Sequence, residues 1–467
     1  LADYGHRIRF VRIINNIPFN NNSAEVTVDS ETGEIRGYYC YWSDDVEFPA
    51  PDGIITASQA QGAYKDKLGL KLMYAYTVED ENVRTYLVYT PEYDNYSYAI
   101  DAFTGDKLQL QRGYYGPYYG GGMMRDEAKK EAASQAVEPT LTPEELEAVN
   151  DAAMLIELDA AEKAARAVGE LGLTSEFKLT SYYLSRQWPV RNEFVWYLSF
   201  NKEADEKTNT ESAYVSVSLN ARTGEVNNFY KNTYFKEGDK GKIDRATAKA
   251  AVETFLKKFK ADKFKQLQYD VSMDEFYAEI QKNNPLQHSF QYVRIVNGIP
   301  FPANTVTVEY DAVNGKVVGF NMGWFDVQFA PADKVVSMDN VYQKLFTDVG
   351  LELEYRVKYD DVRPYVMEEM GPQSKSNALL VYALKQGKPY IFDANTGNML
   401  DYNGKPYNEV KPVEYSDISG HFAEKQITAL AEYGIALEGT ELRPNESIKQ
   451  KDFLTLLSKV LNDYYGP

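Results

Sequence analysis

The sequence predicts an α+β protein made of tandem units, each a helix packed on an antiparallel sheet, followed by a two-helix tail. Three observations carry that prediction. The first is an internal duplication: residues 11–19 read VRIINNIPF and residues 293–301 read VRIVNGIPF, an offset of 282 (293 minus 11) that holds at Asp29/Asp311, Gly33/Gly315, Gly37/Gly319 and Trp42/Trp324. A fixed register of this kind marks repeated structural units. The second is alternation: Val306, Val308 and Tyr310 alternate with Thr305, Thr307 and Glu309, and Val318, Phe320, Met322 and Trp324 with Gly319, Asn321 and Gly323. A period of two means strands with one buried face. The third is the loop DAVNG at 311–315, which recurs as DSETG at 29–33, DAFTG at 101–105, NARTG at 220–224 and DANTG at 393–397. An Asp or Asn there closes an Asx-turn and the Gly takes positive φ, so each copy predicts a hairpin. A calcium loop would need oxygen ligands at alternate positions and a Glu at the twelfth, and these loops have neither.

In chain order, only residues 1–5 precede His6, whereas the equivalent His288 follows a helical segment, so an N-terminal portion is expected to be missing. The start at Leu1, without a basic and apolar leader, is what a mature or trimmed form would show. After the first hairpin, Thr56 and Gln59 have capping-box spacing, and Ala60, Tyr64 and Leu68 share a helical face that Gly69 ends. Ser337, Val341, Leu345 and Gly350 repeat that plan, and both repeats then return to strands, near 86–101 and 378–393. Residues 114–140 change to YYGPYYGGGMM and a charged alanine run, which reads as a mobile tether, aromatic enough to dock on a sheet or glycan. Thr142, Pro143 and Glu145 have the cap, first-turn proline and carboxylate of a helix start, with Gly172 near its end. Strands near 177–184, 194–200 and 214–219 then make a smaller helix-plus-sheet unit. Asp244 opens a helix with Ala248, Ala251, Val252, Phe255 and Phe259 on one stripe. The chain thus divides into a repeat at 1–113, a linker at 114–141, the smaller unit at 142–235, a second repeat with its leading helix at 236–412, and a tail at 413–467.

The length of 467 residues, against about 150 for a typical domain, predicts three or four domains. A net charge of −19 argues against nucleic acid or an anionic membrane, because no basic stripe offsets it. A cationic partner or a surface role remains compatible. No run approaches the ~18 apolar residues of a membrane span. The single cysteine, Cys40, excludes an internal disulfide and, lying in a Tyr-rich strand, is expected to be a buried thiol. The 38 tyrosines suit half-buried sheet surfaces and also wet binding faces.

The basic-apolar strand, the NGIPF or NNIPF string, the D-x-x-[TN]-G turn and the closing Trp resemble the YcdB/YcdC repeat of secreted proteins from Gram-positive-type bacteria, related to the PepSY domain, over most of residues 1–408. The unit at 142–235 looks PepSY-like. The resemblance implies no particular chemistry. Because PepSY domains also occur in propeptides of secreted metallopeptidases, it implies, as an alternative to plain binding, inhibition or chaperoning of a secreted peptidase.

Residues 415–461 resemble an S-layer homology module through Tyr415, Asp417, Ile418, Gly420, His421, Ala423, Gly434, Ile435, the Arg443-Pro444-Asn445 string, Ile448 and Phe453. Ile427, Leu430 and Ala431 form one helical stripe, and Gly434 stands where a C-cap needs it. That family binds pyruvylated secondary wall polymer, a cell wall polysaccharide, largely through an Arg, helped by an early Asp and a Trp. Carried onto this chain, the glycan-binding positions are Asp417, Phe422 in place of the Trp, and Gln450 and Asp452 in the tetrad Lys449-Gln450-Lys451-Asp452. A neutral amide in place of a guanidinium loses the bidentate grip on a carboxylate, which Lys449 or Lys451 would have to replace. The resemblance implies an extracellular, wall-associated protein of a Gram-positive-type bacterium.

Nothing in the sequence asks for catalysis, a metal or a cofactor. His6, His288 and His421 are the three histidines, and no H-E-x-x-H, G-x-S-x-G or P-loop string occurs. Asp44/Asp45 and Asp360/Asp361 read as solvated turns rather than acid/base pairs. Arg12 and Arg294, duplicated within apolar strands, are the best polar candidates for a recognition face, set against a cross-strand ion pair. The expected function is a non-catalytic cell-envelope protein, with the peptidase inhibitor or chaperone as alternative and a wall-active enzyme below both.

Overall fold

The computed structural model describes residues 6–29, 32–79, 82–110, 154–190, 193–204, 212–272, 274, 285–358, 376–409, 413–432 and 434–463. They fall into two compact units that divide after Asn398. The tether expected at 114–140 and the helix start at Thr142 lie outside the described residues.

The first repeat opens with β1 (His6–Ile14), β2 (Ile17–Val28) and β3 (Ile35–Tyr41), paired antiparallel. Then come β4 (Val46–Glu47), α1 (Ala57–Lys67), β5 (Leu70–Glu79), β6 (Asn82–Pro91), β7 (Tyr98–Asp101) and β8 (Lys107–Gln109). Next are α2 (Leu158–Ala167), β9 (Lys178–Arg186), β10 (Phe194–Lys202), β11 (Ala213–Asn220) and β12 (Val226–Lys231). The second repeat and its leader follow as α3 (Arg245–Phe259), α4 (Ala261–Phe264), β13 (Leu267–Tyr269), β14 (Gln287–Val296), β15 (Ile299–Asp311), β16 (Lys316–Gly323), α5 (Met338–Lys344), β17 (Leu351–Val357), β18 (Ser376–Leu384) and β19 (Ile391–Asp393).

Local chemistry sets these boundaries. Asp311 Oδ1 accepts the N–H groups of Val313 and Asn314 at 2.9 Å each, and Asp101, Asn220 and Asp393 do the same in their loops. Gly33, Gly105, Gly224, Gly315 and Gly397 all have φ between 70° and 73°. Thr56 and Gln59 form the reciprocal capping box of α1, Asp244 caps α3 through Thr247 N–H and Ser337 caps α5 through Asn340 N–H. The strings NNI and NGI prove to be hairpin tips: Asn15 and Asn16, and Asn297 and Gly298, all have positive φ, as a two-residue type I′ turn requires.

One sheet of eight strands runs β13-β14-β15-β16-β12-β11-β10-β9. β12 joins β16 through Asn228↔Asn321, Phe229↔Phe320 and Tyr230↔Gly319, so residues 178–231 and the second repeat's hairpin share one sheet and one core. On its inner face α2 and α3 bring Ala161, Ala165, Ala248, Val252 and Leu256 against Leu198, Phe200, Val217, Phe229 and Phe320. Alanines at the contact let the helix axes approach the strands closely.

Each repeat was expected to close its own sheet; instead the return strands are exchanged. β18 pairs with β7 through Val381↔Asp101 and Tyr382↔Ile100. β19 pairs with β6 through Asp393↔Val88 and Phe392↔Tyr89, the same register with the repeats interchanged. Around these pairings the contacts are duplicated. The Tyr355 hydroxyl accepts from Asn15 Nδ2 (3.1 Å) and donates to Pro49 O (2.7 Å), while the Tyr74 hydroxyl accepts from Asn297 Nδ2 (3.1 Å) and donates to Ala330 O (2.9 Å). Tyr382 donates to Ile55 O and Tyr89 to Val336 O. Each hairpin therefore rests on the return strands of its twin.

Cys40, expected to be buried, is exposed. Its strand β3 has every residue but Gly37 exposed, because among the described residues no layer covers it. The second unit holds β20 (Met399–Leu400), α6 (Glu424–Glu432) and α7 (Gln450–Asp463), with a small core of Tyr415, Ile418, Ala431 and Ala436. No helix among the described residues is long and apolar enough to cross a membrane.

Candidate functional site

Arg12 and Arg294 occupy equivalent places in β1 and β14 but unequal surroundings. The Arg294 guanidinium lies 4.5 Å over the Trp324 ring and 5.1 Å over Phe329, with its Nε donating to Gln266. Burial lowers its pKa, opposed by Asp326. Arg294 thus acts as a packed strut in the second repeat. Arg12 lies 5.2 Å over Trp42 and 5.1 Å over Phe48, but Trp42 is 51% exposed against 8% for Trp324. Cation–π pairs contribute about 0.5–1 kcal/mol when open and about 2 when desolvated, so only the Arg12 pair is left accessible to a ligand. The two arginines belong to separate hairpins and do not form one face.

In the tail, Asp417 is already engaged: its two carboxylate oxygens accept the N–H groups of Leu442 (2.9 Å) and Arg443 (2.6 Å). Those bonds, that of Leu442 first, hold its carboxyl below the usual range. Phe422 is 92% exposed beside the His421 ring at 4.4 Å. Gln450 opens α7 and lines a shallow depression with Lys451, Leu454, Thr455 and Ser458; Asp452 is half-buried on the same helix. His288 is buried, its Nε2 paired with Ile243 O at 2.8 Å, a structural role. Among the described residues no group of three or more His, Cys, Asp or Glu side chains is placed to hold a metal.

The surface that sequence reasoning passed over is the outer face of β9 to β12. Register places Tyr183 opposite Tyr197, and Tyr197 opposite Ser218; Ser199 lies between Ser181 and Ser216, and Ser216 faces Tyr230. Asn228 and Asn321 extend the face into β16. The Tyr183 and Tyr197 rings stack at 4.6 Å with planes 10° apart, and Ser199 Oγ lies 3.3 Å from the Tyr214 hydroxyl. Burial, then the neighbouring Tyr183, raise the Tyr197 phenol. Tyr183, Tyr197, Tyr214 and Tyr230 are 56, 37, 37 and 45% exposed, while the alternate residues of β10, β11 and β12 fill the core; in β9 Tyr182 and Leu184 are exposed as well. The result is a face of phenol rings set among hydroxyls and amides, with Lys178 at one end and Glu309 next to Gly319 at the other. The signal for it was present in SYYLS, WYLSF and YVSVS, where small polar residues and tyrosines recur at the outward positions.

Residues 161–324 match the family model described as the YcdB, YcdC repeated domain. That span runs from α2 to Trp324 and takes in the whole eight-stranded sheet, tyrosine face included. No curated protein and no solved structure matches the chain.

Proposed function

We propose that the protein is a non-catalytic binding protein of the bacterial cell envelope, held at the wall by residues 413–467 and binding a neutral glycan on the tyrosine face of its eight-stranded sheet. The observation that carries this reading is the stacked Tyr183–Tyr197 pair flanked by serines and asparagines. Aromatic rings receive the apolar C–H faces of sugars, hydroxyls and amides meet their hydroxyl groups, and strands hold both rigidly. The wall-associated location rests on the resemblance of the tail, and the absence of a catalytic role on the absence from the sequence of any recognisable catalytic motif.

Titration of the full chain with soluble neutral wall glycan, read by tyrosine fluorescence, tests it. Tyr197→Ala should weaken binding about five- to tenfold, the equivalent of roughly 1 kcal/mol for one aromatic contact, and leave the melting temperature nearly unchanged. Equal binding by Tyr197→Ala and the unmodified chain, or stoichiometric inhibition of a secreted metallopeptidase without glycan binding, would overturn the reading.

A further inference from the structure

The strand pairs that change places between the repeats are β5–β6 and β17–β18. The second lies between β2 and β7 of the first repeat, and the first lies beside β19 of the second. Leu70 faces Pro91 as Leu351 faces Leu384, and the pairings that follow keep constant offsets of 281 (351 minus 70) and 293 (384 minus 91). Backbone register therefore does not distinguish the two pairs.

Their side chains do. Glu354 and Arg356 of β17 stand where β5 has Met73 and Ala75, and all four are buried. Glu354 Oε1 accepts from Arg356 Nε (2.9 Å) and Nη2 (2.6 Å), and its Oε2 accepts from Asn20 Nδ2 of β2 at 2.8 Å. Arg356 Nη1 donates to the carbonyl of Asn95, between β6 and β7. The Asn95 side chain in turn accepts the N–H of Leu384 and donates to its carbonyl, both at 2.9 Å. These bonds join segments 261 to 334 residues apart. The counterpart positions cannot repeat them. Asn20 corresponds to Pro302 and Leu384 to Pro91, and residues 385–390, between β18 and β19, hold no Asn.

With each strand pair returned to its own repeat, the buried Glu354 would face Pro302, which has no side-chain donor, and Asn20 would face the apolar Met73. Asn95 would meet Pro91, which has no N–H to give. Depriving a buried ion pair of its hydrogen-bonding partners is strongly unfavourable, and the best-attested use of such a pair is to fix one register among several. We propose that Glu354 and Arg356, gripped by Asn20 and Asn95, select the exchanged closure of the two repeats over the closure of each repeat on itself. This selection does not depend on the glycan reading.

Two cysteine pairs, each in a Cys40→Ser chain refolded under mild oxidation, report the closure. Glu47→Cys with Asn377→Cys reports the exchanged form, because Glu47 and Asn377 are exposed and directly opposed in β4 and β18, within disulfide reach. Glu47→Cys with Arg84→Cys reports the other form, since Arg84 is the exposed counterpart of Asn377. Monomeric chains with the natural strand pairs are expected to form only the first disulfide. Glu354→Met, Arg356→Ala and Pro91→Leu together give each strand pair residues that the other already carries at these places. They are expected to raise the yield of the second disulfide about tenfold or more. A triply substituted chain that still forms only the first disulfide overturns the proposal. So does one that no longer folds, which would make the buried pair a support of stability alone.

Discussion

Gln450 stands where the tail's resemblance calls for an Arg, at the first residue of α7 and in a shallow depression shared with Lys451. If the tail grips a pyruvylated wall polymer, residues 413–467 by themselves are expected to sediment only weakly with isolated walls, because Gln450 lacks the guanidinium. Gln450→Arg should then raise affinity about ten- to hundredfold, the worth of a charge-assisted bond of about 1.5–3 kcal/mol. Tight pyruvate-dependent sedimentation of the unmodified tail would instead assign the contact to Lys449 or Lys451. At this scale the sequence was partly legible. It identified Arg12 and Arg294 as equivalents and could not tell them apart, because what separates them is the burial of Trp324 and, among the described residues, the exposure of Trp42. It likewise assigned Cys40 to a core by its place in a Tyr-rich strand, although exposure is decided by residues far away in the chain.

The elements were more legible than the sites because their causes are local. Asx side chains, positive-φ glycines and caps act within four residues, and all five loops and the caps of α1, α3 and α5 stand where the sequence put them. The tips at Asn15-Asn16 and Asn297-Gly298 obey the same rules and were read only as part of a motif. Within one loop type, context still grades the cost of substitution. A Cβ on Gly315 would come 3.1 Å from Ile243 Cδ1, whereas one on Gly33 meets nothing within 4 Å, and both positions have φ near +72°. Gly33→Ala is therefore expected to cost about 1 kcal/mol from backbone strain alone, and Gly315→Ala about 1 kcal/mol more from crowding. Equilibrium denaturation of the two variants measures the difference, and equal losses would show that Ile243 yields freely.

For the whole molecule, the exchange of return strands was not legible in the sequence, and the reason is degeneracy. β6 and β18 share the Val-Tyr pair of Val88-Tyr89 and Val381-Tyr382, β7 and β19 both end in an Asx-loop, and either partner offers the same register. No local preference separates pairing within a repeat from pairing across them. The seam can be monitored through Lys71 of β5, whose burial drives its ammonium down to about 8 against the pull of Asp270 and Glu92. With the folded value below the unfolded one, near 10.4, the unfolded chain holds a proton that the fold has lost between those limits, so stability rises with pH across the window. Denaturation midpoints at about pH 7.5 and about pH 9.5 should rise for the natural chain relative to Lys71→Met; parallel curves would place Lys71 in water. The same seam separates covalent continuity from cohesion. With each hairpin bedded on strands that the other half of the chain supplies, a single backbone cut between the repeats leaves two fragments that cannot part without unfolding, and the nicked protein should still migrate as one particle under native conditions.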